Sequence, residues 1–167
     1  MPVPTADFLV GMRQLAAGVT IVTSEWAGLR AGLTATAVCS VSAEPPQLLV
    51  CVNRDTDAHD MIARSGRFAV NVLASGQRII ADRFAGRTGH RGEERFRCGL
   101  WHTLATGAPV LEGSCSSFDC LLRQSVPAGT HTIYVGRVEA VRSAPDLLPI
   151  VYAEGEYGLV APLIDAG

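Results

Sequence analysis

The sequence predicts a mainly β fold, a closed or nearly closed antiparallel barrel with a few peripheral helices. Short segments rich in Val, Ile and Thr recur along the chain, and Gly and Pro turn signals separate them. Only three segments have the apolar spacing of a helix. The strict alternation of strand and helix that marks a doubly wound parallel sheet is missing. Many short strands with few helices are typical of antiparallel barrels.

Three short segments have helical character. In the first, Phe8, Met12 and Leu15 recur at helical spacing. In the second, Asp57 is a candidate N-terminal cap. The predicted helices are 5–17, 57–65 and 76–84.

The remaining periodic segments predict strands. The segment 47–52 is continuously apolar, as in strands that are buried on both faces. Residues 126–129 supply a turn between two long strands, and the glycine-rich segment 86–99 has no apolar period, which predicts a loop long enough for a functional lid. The predicted strands are 19–23, 31–41, 47–52, 68–73, 116–125, 130–142, 150–153 and 156–161.

Length and charge limit the function. A chain of 167 residues predicts one domain, 1–167. All 14 basic residues are arginine, so a lysine Schiff base and a Walker-type phosphate loop are excluded. Arginine, hydroxyls and backbone N–H groups must therefore hold any phosphate. A net charge of −2 argues against a nucleic-acid-binding surface.

The sequence predicts a cytoplasmic protein without a membrane span. Its apolar runs are shorter than the roughly 20 residues that a span requires, and residues 1–8 lack the pattern of a secretory signal. Five cysteines without a C-x-x-C pair indicate reduced thiols. Cys98, His90 and His102 match no standard zinc spacing, so no metal site is predicted.

The segment 32–42 carries the strongest chemical signal. Thr34, Thr36 and Ser40 alternate with small residues, which offers hydroxyl donors on a strand that a flat ligand can approach closely. Such a surface suits a polar heteroaromatic ring with a phosphate at one end. A core strand whose hydroxyls bond locally explains the same residues, because Thr and Val favour strands. Both interpretations remain open on residue chemistry alone.

Several separated blocks stand in order along the chain: GLTATAVCSVS at 32–42, PP at 45–46, LVCVNR at 49–54, FAVNVL at 68–73, RFAG at 83–86, FDC at 118–120, GTH at 129–131 and GRV at 136–138. From about residue 7 to about residue 160, this pattern resembles the flavin reductase-like, FMN-binding split-barrel family. It is similar to that of reductase components of two-component flavin monooxygenases, including the reductases of 4-hydroxyphenylacetate hydroxylase and of pyrimidine utilisation.

The resemblance implies an NAD(P)H:flavin oxidoreductase that reduces FMN or FAD and supplies a partner monooxygenase. It also implies a homodimer with flavin near the subunit interface. Thr34, Ala35, Thr36 and Ala37 would border the flavin ring. The residues implied for the ribityl chain and phosphate are Ser40, Asn53, Arg54, Thr56 and Arg83. A surface role for Arg83, paired with an acidic neighbour, remains an alternative.

Two departures from the family pattern concern the nicotinamide side. His131, the implied nicotinamide-side residue, follows Thr130 where relatives often have Asp, and a structural histidine remains an alternative role. Glu154 and Glu156 stand where many relatives carry arginine. Negative charge at that place disfavours the extra phosphate of NADPH, which favours NADH.

Two other functions remain open for this sequence. One is a flavin-binding module or carrier without efficient NADH turnover, which the changes at Thr130, Glu154 and Glu156 would explain. The other is an enzyme similar to pyridoxamine-phosphate oxidase on a related barrel. The absence of lysine and the poor motif match argue against the second.

Overall fold

The structure, a computed structural model, describes residues 1–163. Residues 164–167 of the predicted single domain lie outside the described residues. The α-helices are α1 (Thr5–Arg13), α2 (Asp57–Ser65) and α3 (Arg78–Phe84). The strands are β1 (Ala17–Gly18), β2 (Thr20–Trp26), β3 (Leu29–Ala35), β4 (Val38–Ala43), β5 (Pro46–Asn53), β6 (Arg67–Val72), β7 (Trp101–Thr103), β8 (Pro109–Leu111), β9 (Ser116–Ala128), β10 (His131–Ser143), β11 (Ile150–Ala153) and β12 (Glu156–Leu159).

A seven-stranded antiparallel sheet forms the body of the molecule. Its strand order is β3-β2-β6-β9-β10-β5-β4. The two edge strands, β3 and β4, are consecutive in the chain and are separated only by Thr36 and Ala37. The sheet must therefore curl until its edges meet, and the amide of Cys51 in β5 donates to the Ala37 carbonyl at 3.0 Å. This arrangement confirms the predicted β-barrel class.

The inward-facing side chains of the curled sheet form its core. Every second residue of β5 is buried, because strand side chains alternate between the two faces. The close approach of β10 to β6 requires glycine at 136, where a Cβ atom would lie 2.6 Å from the Phe68 ring. The largest fully buried side chains of this core are Val22, Val50, Val52, Ile62, Phe68, Val70 and Tyr134.

A second layer covers one side of the barrel. It contains the three-stranded sheet β1-β11-β12, helix α3 and a 3-10 helix at Gly92–Arg97. The rings of Phe84, Phe96 and Trp101 pack together in this layer, with centroids 4.9 to 5.5 Å apart. This layer brings β11 and β12 to the side of the barrel where β3 ends.

The predicted first helix is too long, and its apolar residues are exposed. The helix ends at Arg13, and residues 17–18 form β1 instead. No residue of α1 is buried. Phe8, Met12 and Leu15 are 54%, 46% and 64% exposed, because the described chain offers no apolar surface that covers them.

Other differences concern strand ends and burial. The predicted strand 31–41 is interrupted at 36–37, where the sheet closes. Leu49 and Cys51 are partly exposed, because nothing in the described chain covers the outer face of β5. The predicted turn at 126–129 is shorter, since β9 continues to Ala128 and pairs it with His131. Thr56, rather than Asp57, caps α2, and its hydroxyl accepts from the His59 amide.

Candidate functional site

The link between β3 and β4, which consists of Thr36 and Ala37, presents hydrogen-bond donors that have no partner among residues 1–163. The Thr20 hydroxyl donates to the Ala35 carbonyl at 2.7 Å, which fixes the end of β3. Ala35 is buried in the barrel, so the alternation of the strand directs Thr34 and Thr36 outward. The Thr34 hydroxyl donates to the Ala81 carbonyl at 2.7 Å. Among residues 1–163, the Thr36 hydroxyl and the amides of Thr36 and Ala37 have no hydrogen-bond partner.

Two tyrosines and an arginine face this link. The rings of Tyr152 and Tyr157 meet edge to face at 5.3 Å. The Arg87 guanidinium donates to both hydroxyls at 3.4 Å and to Asp82 at 3.0 Å. These bonds, to Tyr152 first and then to Asp82, raise the pKa of Arg87, so its charge is secure at the site. Burial, followed by the bond to Asp82, raises the pKa of Tyr157, which keeps that hydroxyl protonated.

A groove runs along the link. One cavity of about 200 Å³ lies between Thr34–Thr36 and Arg87, Tyr152 and Tyr157. An adjoining cavity of about 340 Å³ shares Thr36 and Tyr152 with it and continues past Ala37 towards apolar side chains of α1. We call the two together the link groove. It combines apolar walls with free donors along one edge, which suits a flat ring that carries carbonyl and ring-nitrogen acceptors.

A separate cavity, of about 350 Å³, lies beside the segment 86–95, and we call it the loop cavity. Arg95 fixes its wall, because its guanidinium donates to the Gly32 carbonyl of β3 at 3.1 Å and to the His90 carbonyl at 3.2 Å. The residues lining this cavity are Ala31, Gly32, Asp55, Thr56, Asp57, Gly86, Gly89, His90, Arg91, Gly92 and Arg95.

The ends of β5 and β10 bring further polar residues together. Asn53 pairs with His131, and the Arg54 amide donates to the Thr130 carbonyl at 3.0 Å. Val52 and its partner Thr132 are buried, so Asn53 and His131 face outward. His131 Nδ1 lies 2.9 Å from the Thr130 hydroxyl, which holds the ring in one orientation.

His131 is close to the link but not in contact range of its amides. Ala37 meets β5 on one side at Cys51, whereas His131 meets β5 on the other side at Asn53. The two flanking strands are therefore two strand spacings apart, about 10 Å. A ligand lying across the outer face of β5 could reach both His131 and the amides of the link.

The structure assembles some of the predicted site residues and separates others. Thr34, Ala35, Thr36 and Ala37 line the link groove. Thr56 lines the loop cavity, but its hydroxyl already donates to the Asn53 carbonyl at 2.8 Å and caps α2.

Ser40 and Arg83 line neither the link groove nor the loop cavity. Ser40 lies further along β4, opposite Leu48, and is exposed. Arg83 approaches the Glu94 carbonyl at 3.5 Å, and its Nε is buried without a partner among the described residues.

The sequence analysis missed the arginines and tyrosines that line the link groove and the loop cavity. Arg87, Arg91 and Arg95 recur at four-residue spacing in the glycine-rich segment, which looked like a solvated loop. Tyr152 and Tyr157 flank the short turn between β11 and β12, where the pairing of Tyr152 with Tyr157 brings both rings to one site. That pair is local to the hairpin, but the packing of the hairpin against the end of β3 is a tertiary contact without a local sequence signal.

The described residues offer little metal chemistry. No group of three or more His, Cys, Asp or Glu side chains within 1–163 could hold a metal ion. The five cysteines are free thiols, and burial raises the pKa of Cys120 to about 12. Within the same residues, no helix has the length and apolar character needed to cross a membrane.

Comparison with known families identifies the domain. Residues 12–161 match the model of the flavin reductase like domain. The chain belongs to the flavin reductase-like family. The matched range includes all the strands of the barrel, and the resemblance inferred from the sequence is confirmed.

Individual relatives extend over nearly the whole chain. FMN reductase (NADH) RutF of Stutzerimonas stutzeri is 43% identical over 160 residues, which cover 95% of this chain and 90% of that protein. BorF, the flavin reductase component of a bacterial two-component tryptophan halogenase, has a TM-score of 0.86 at 32% identity and covers 96% of this chain and 100% of its own.

A third relative was solved with ligand fragments. The NADH:FAD oxidoreductase SgcE6 of Streptomyces globisporus, in complex with NAD and FAD fragments, has a TM-score of 0.86 at 29% identity and covers 100% of this chain and 99% of its own. These flavin reductases share the fold of the chain described here.

Proposed function

We propose that this protein is an NADH-dependent flavin reductase that uses FMN, or FAD, and delivers reduced flavin to a partner monooxygenase. The observation that carries the proposal is the link groove, where a free hydroxyl and two free amides face a wall of tyrosines and Arg87. Its relatives named as NADH-dependent FMN reductases support the activity.

The flavin fits the donor set of the groove. Its ring has carbonyl oxygens and nitrogens at one edge, and the Thr36 hydroxyl and the amides of Thr36 and Ala37 are donors without partners among residues 1–163. A flavin bound there would supply the redox chemistry, as the acceptor of a hydride from the nicotinamide. The chain orients the two rings and excludes water between them.

We assign fewer residues to the ribityl chain and phosphate of the flavin than the sequence predicted. Arg54 is exposed, and its guanidinium has no partner within the described residues, so it is the cation that we assign to the flavin phosphate. Asn53 remains assigned to the ribityl chain, whereas Ser40, which pairs with the inward-facing Leu48 and lines neither cavity, does not. Thr56 caps α2, and Arg83 contacts the Glu94 carbonyl, so neither is assigned to the flavin.

We assign His131 to the nicotinamide side. Thr130 replaces the carboxylate found in many relatives, and its hydroxyl holds His131 Nδ1 at 2.9 Å. A hydroxyl partner orients the ring through one hydrogen bond. His131 therefore orients the nicotinamide and need not act as an acid, because hydride transfer requires alignment.

The same proposal includes a homodimer and a place in the cytoplasm. Apolar side chains of α1 are exposed beside the link groove, which supports a second copy as the cover of that face. The five free thiols suit a reducing compartment. Relatives that are components of two-component systems support an oxygenase as the recipient of reduced flavin.

Steady-state NADH oxidation tests the proposal. We expect purified protein to oxidise NADH only when FMN or FAD is added, and His131→Ala to lower kcat/KM for NADH while leaving the Kd for FMN unchanged. Thr130→Ser should retain wild-type rates because the hydroxyl remains. A folded protein that binds flavin tightly but never oxidises NADH would instead be a flavin carrier.

A further inference from the structure

The loop cavity is surrounded by unpaired charges of both signs. Arg91 and Arg95 come from the segment 86–97, whereas Asp55 and Asp57 come from the connection between β5 and α2. Among residues 1–163, the side chains of Arg91, Asp55 and Asp57 form no hydrogen bond or ion pair. The link groove and the proposed hydride transfer use none of these four groups.

This set of groups matches a ribose that carries a phosphate. Guanidinium groups form paired, charge-assisted hydrogen bonds with phosphate oxygens. Carboxylates accept hydrogen bonds from the vicinal hydroxyls of a nucleotide ribose. An anion without hydroxyls would be repelled by the two aspartates, and a simple cation would be repelled by the two arginines. A nucleoside diphosphate can bind both pairs of side chains, with its diphosphate on the arginines and its ribose hydroxyls on the aspartates.

The size of the cavity limits which part of a ligand it can hold. Its volume of about 350 Å³ is near the lower end of the range of roughly 300–1,000 Å³ found for ligand pockets. It is therefore large enough for part of a dinucleotide, with the remainder placed elsewhere.

The loop cavity and the link groove adjoin the same two segments. Gly32 of β3 lines the loop cavity and Thr34 lines the link groove, a separation of two residues or roughly 7 Å along the strand. Similarly, Gly86 lines the loop cavity, and its neighbours Ala85 and Arg87 line the groove. A diphosphate linker is long enough to connect ligand parts at such a distance.

We propose that the loop cavity binds the ADP portion of a dinucleotide, with Arg91 and Arg95 on the diphosphate and Asp55 and Asp57 on the adenosine ribose. The Gly32, His90 and Phe84 carbonyls hold Arg95 in place through its Nε and Nη1, so its Nη2, which has no hydrogen-bond partner among residues 1–163, is the donor available to a phosphate oxygen. This inference rests on the proposed function, since NADH and FAD are the dinucleotides of that reaction and both contain ADP.

The aspartates also give the cavity a preference between dinucleotides. A phosphate at the 2′ position of the ribose would lie against Asp55 and Asp57, where like charges repel. NADPH carries that phosphate and NADH does not. The loop cavity thus selects NADH independently of Glu154, whose carboxylate is bound to Gln14 at the rim of the link groove.

Calorimetric titration of the FMN-loaded protein with ADP tests the site. We expect ADP to bind, Arg91→Ala to weaken its Kd about tenfold, and Arg97→Ala to leave it unchanged. Arg97 is the matched control because it is an exposed arginine at the end of the 3-10 helix that follows Arg91, and it does not line the cavity. Arg91 is the residue to change because it is exposed and its side chain forms no hydrogen bond or ion pair with residues 1–163, so we expect the variant to fold.

A second titration examines the aspartates. Wild type should bind 2′-phosphoadenosine 5′-diphosphate more weakly than ADP, and Asp55→Asn should reduce that discrimination several-fold. The inference is overturned if ADP does not bind, or if Arg91→Ala and Arg97→Ala have equal effects. It is also overturned if ADP binding is unchanged by saturating NADH and by saturating FAD.

Competition identifies the source of the ADP group. Inhibition by ADP that is competitive with NADH assigns the cavity to NADH, whereas competition with FAD assigns it to FAD. Failure of the proposed function is distinguishable, because it would appear as the absence of flavin-dependent NADH oxidation in wild type, whatever ADP does.

Discussion

At the scale of single residues, threonines that are equivalent in sequence have different roles. Thr34 and Thr36 both face outward beside small residues, and the pattern predicts both as flavin ligands. In the structure the Thr34 hydroxyl is bound to the Ala81 carbonyl, whereas the Thr36 hydroxyl has no described partner. The distinction depends on where α3 packs, which the strand pattern does not encode.

The two threonines should therefore respond differently to the same substitution. We expect Thr36→Val to raise the Kd of FMN and of riboflavin equally, by about two- to tenfold, because one hydrogen bond to the ring is lost. Thr34→Val should instead lower the Tm, since it removes the hydrogen bond that joins β3 to α3, while the Ala81 carbonyl keeps only its bond from the Ala85 amide. Fluorescence titration and thermal melts measure these effects. Equal effects of both variants on flavin affinity would contradict the assignment.

Arg54 gives a prediction that separates phosphate from ring. Because its guanidinium is free and exposed next to Asn53, Arg54→Ala should weaken FMN binding about tenfold and leave riboflavin binding nearly unchanged. Arg64→Ala, an exposed change in the last turn of α2, is the control. A similar loss for FMN and riboflavin would mean that Arg54 has a structural role.

At the scale of elements, the sequence pattern predicted the presence of the strands well. It predicted their ends, and the surfaces that pack against each element, less well. Periodicity located α2, β6 and β10 closely, because their apolar residues face a core within the same chain. It failed at α1, whose apolar residues are on the surface of the described chain, since periodicity cannot say what an apolar face packs against. The predicted lid, 86–99, is a loop that includes a 3-10 helix.

One ion pair attaches this 3-10 helix to the barrel. Glu93 accepts from the Arg30 amide and guanidinium, at 2.5 and 2.7 Å, and the Arg30 guanidinium lies 4.5 Å above the Phe96 ring. The hydrogen bonds from Arg30 hold the pKa of Glu93 below its ordinary value. The pair therefore stabilises the fold fully above the ordinary pKa of Glu, about 4.3, and less as the pH falls through the lowered value.

Thermal melts of Glu93→Gln against wild type should follow this dependence. We expect the variant to have a lower Tm at pH 7 and the difference in Tm to shrink below about pH 4. Glu94→Gln removes the same charge from the neighbouring, more exposed position and should have a smaller effect at pH 7. A Tm difference between wild type and Glu93→Gln that is constant down to pH 3 would contradict the ion-pair explanation.

At the scale of the whole molecule, the exposed apolar side chains of α1 require a cover. Leu9, Met12 and Leu15 line one cavity together and are 50%, 46% and 64% exposed, and Phe8 beside them is 54% exposed; apolar surface of this kind marks an interaction site. We therefore expect a dimer in light scattering, and Phe8→Glu should shift it towards monomer. Ile79→Glu, on the equally exposed surface of α3, should leave the dimer intact. A wild-type protein that is monomeric at micromolar concentration would contradict the proposed homodimer.

Anaerobic mixing of NADH with the FMN-loaded protein tests the proposed function most directly. The visible absorbance of the bound flavin should bleach in a single turnover with one NADH consumed per flavin, and His131→Ala should slow the bleaching while the amount of flavin bound stays the same. Flavin that remains bound and oxidised in the presence of excess NADH would contradict the proposed reductase activity.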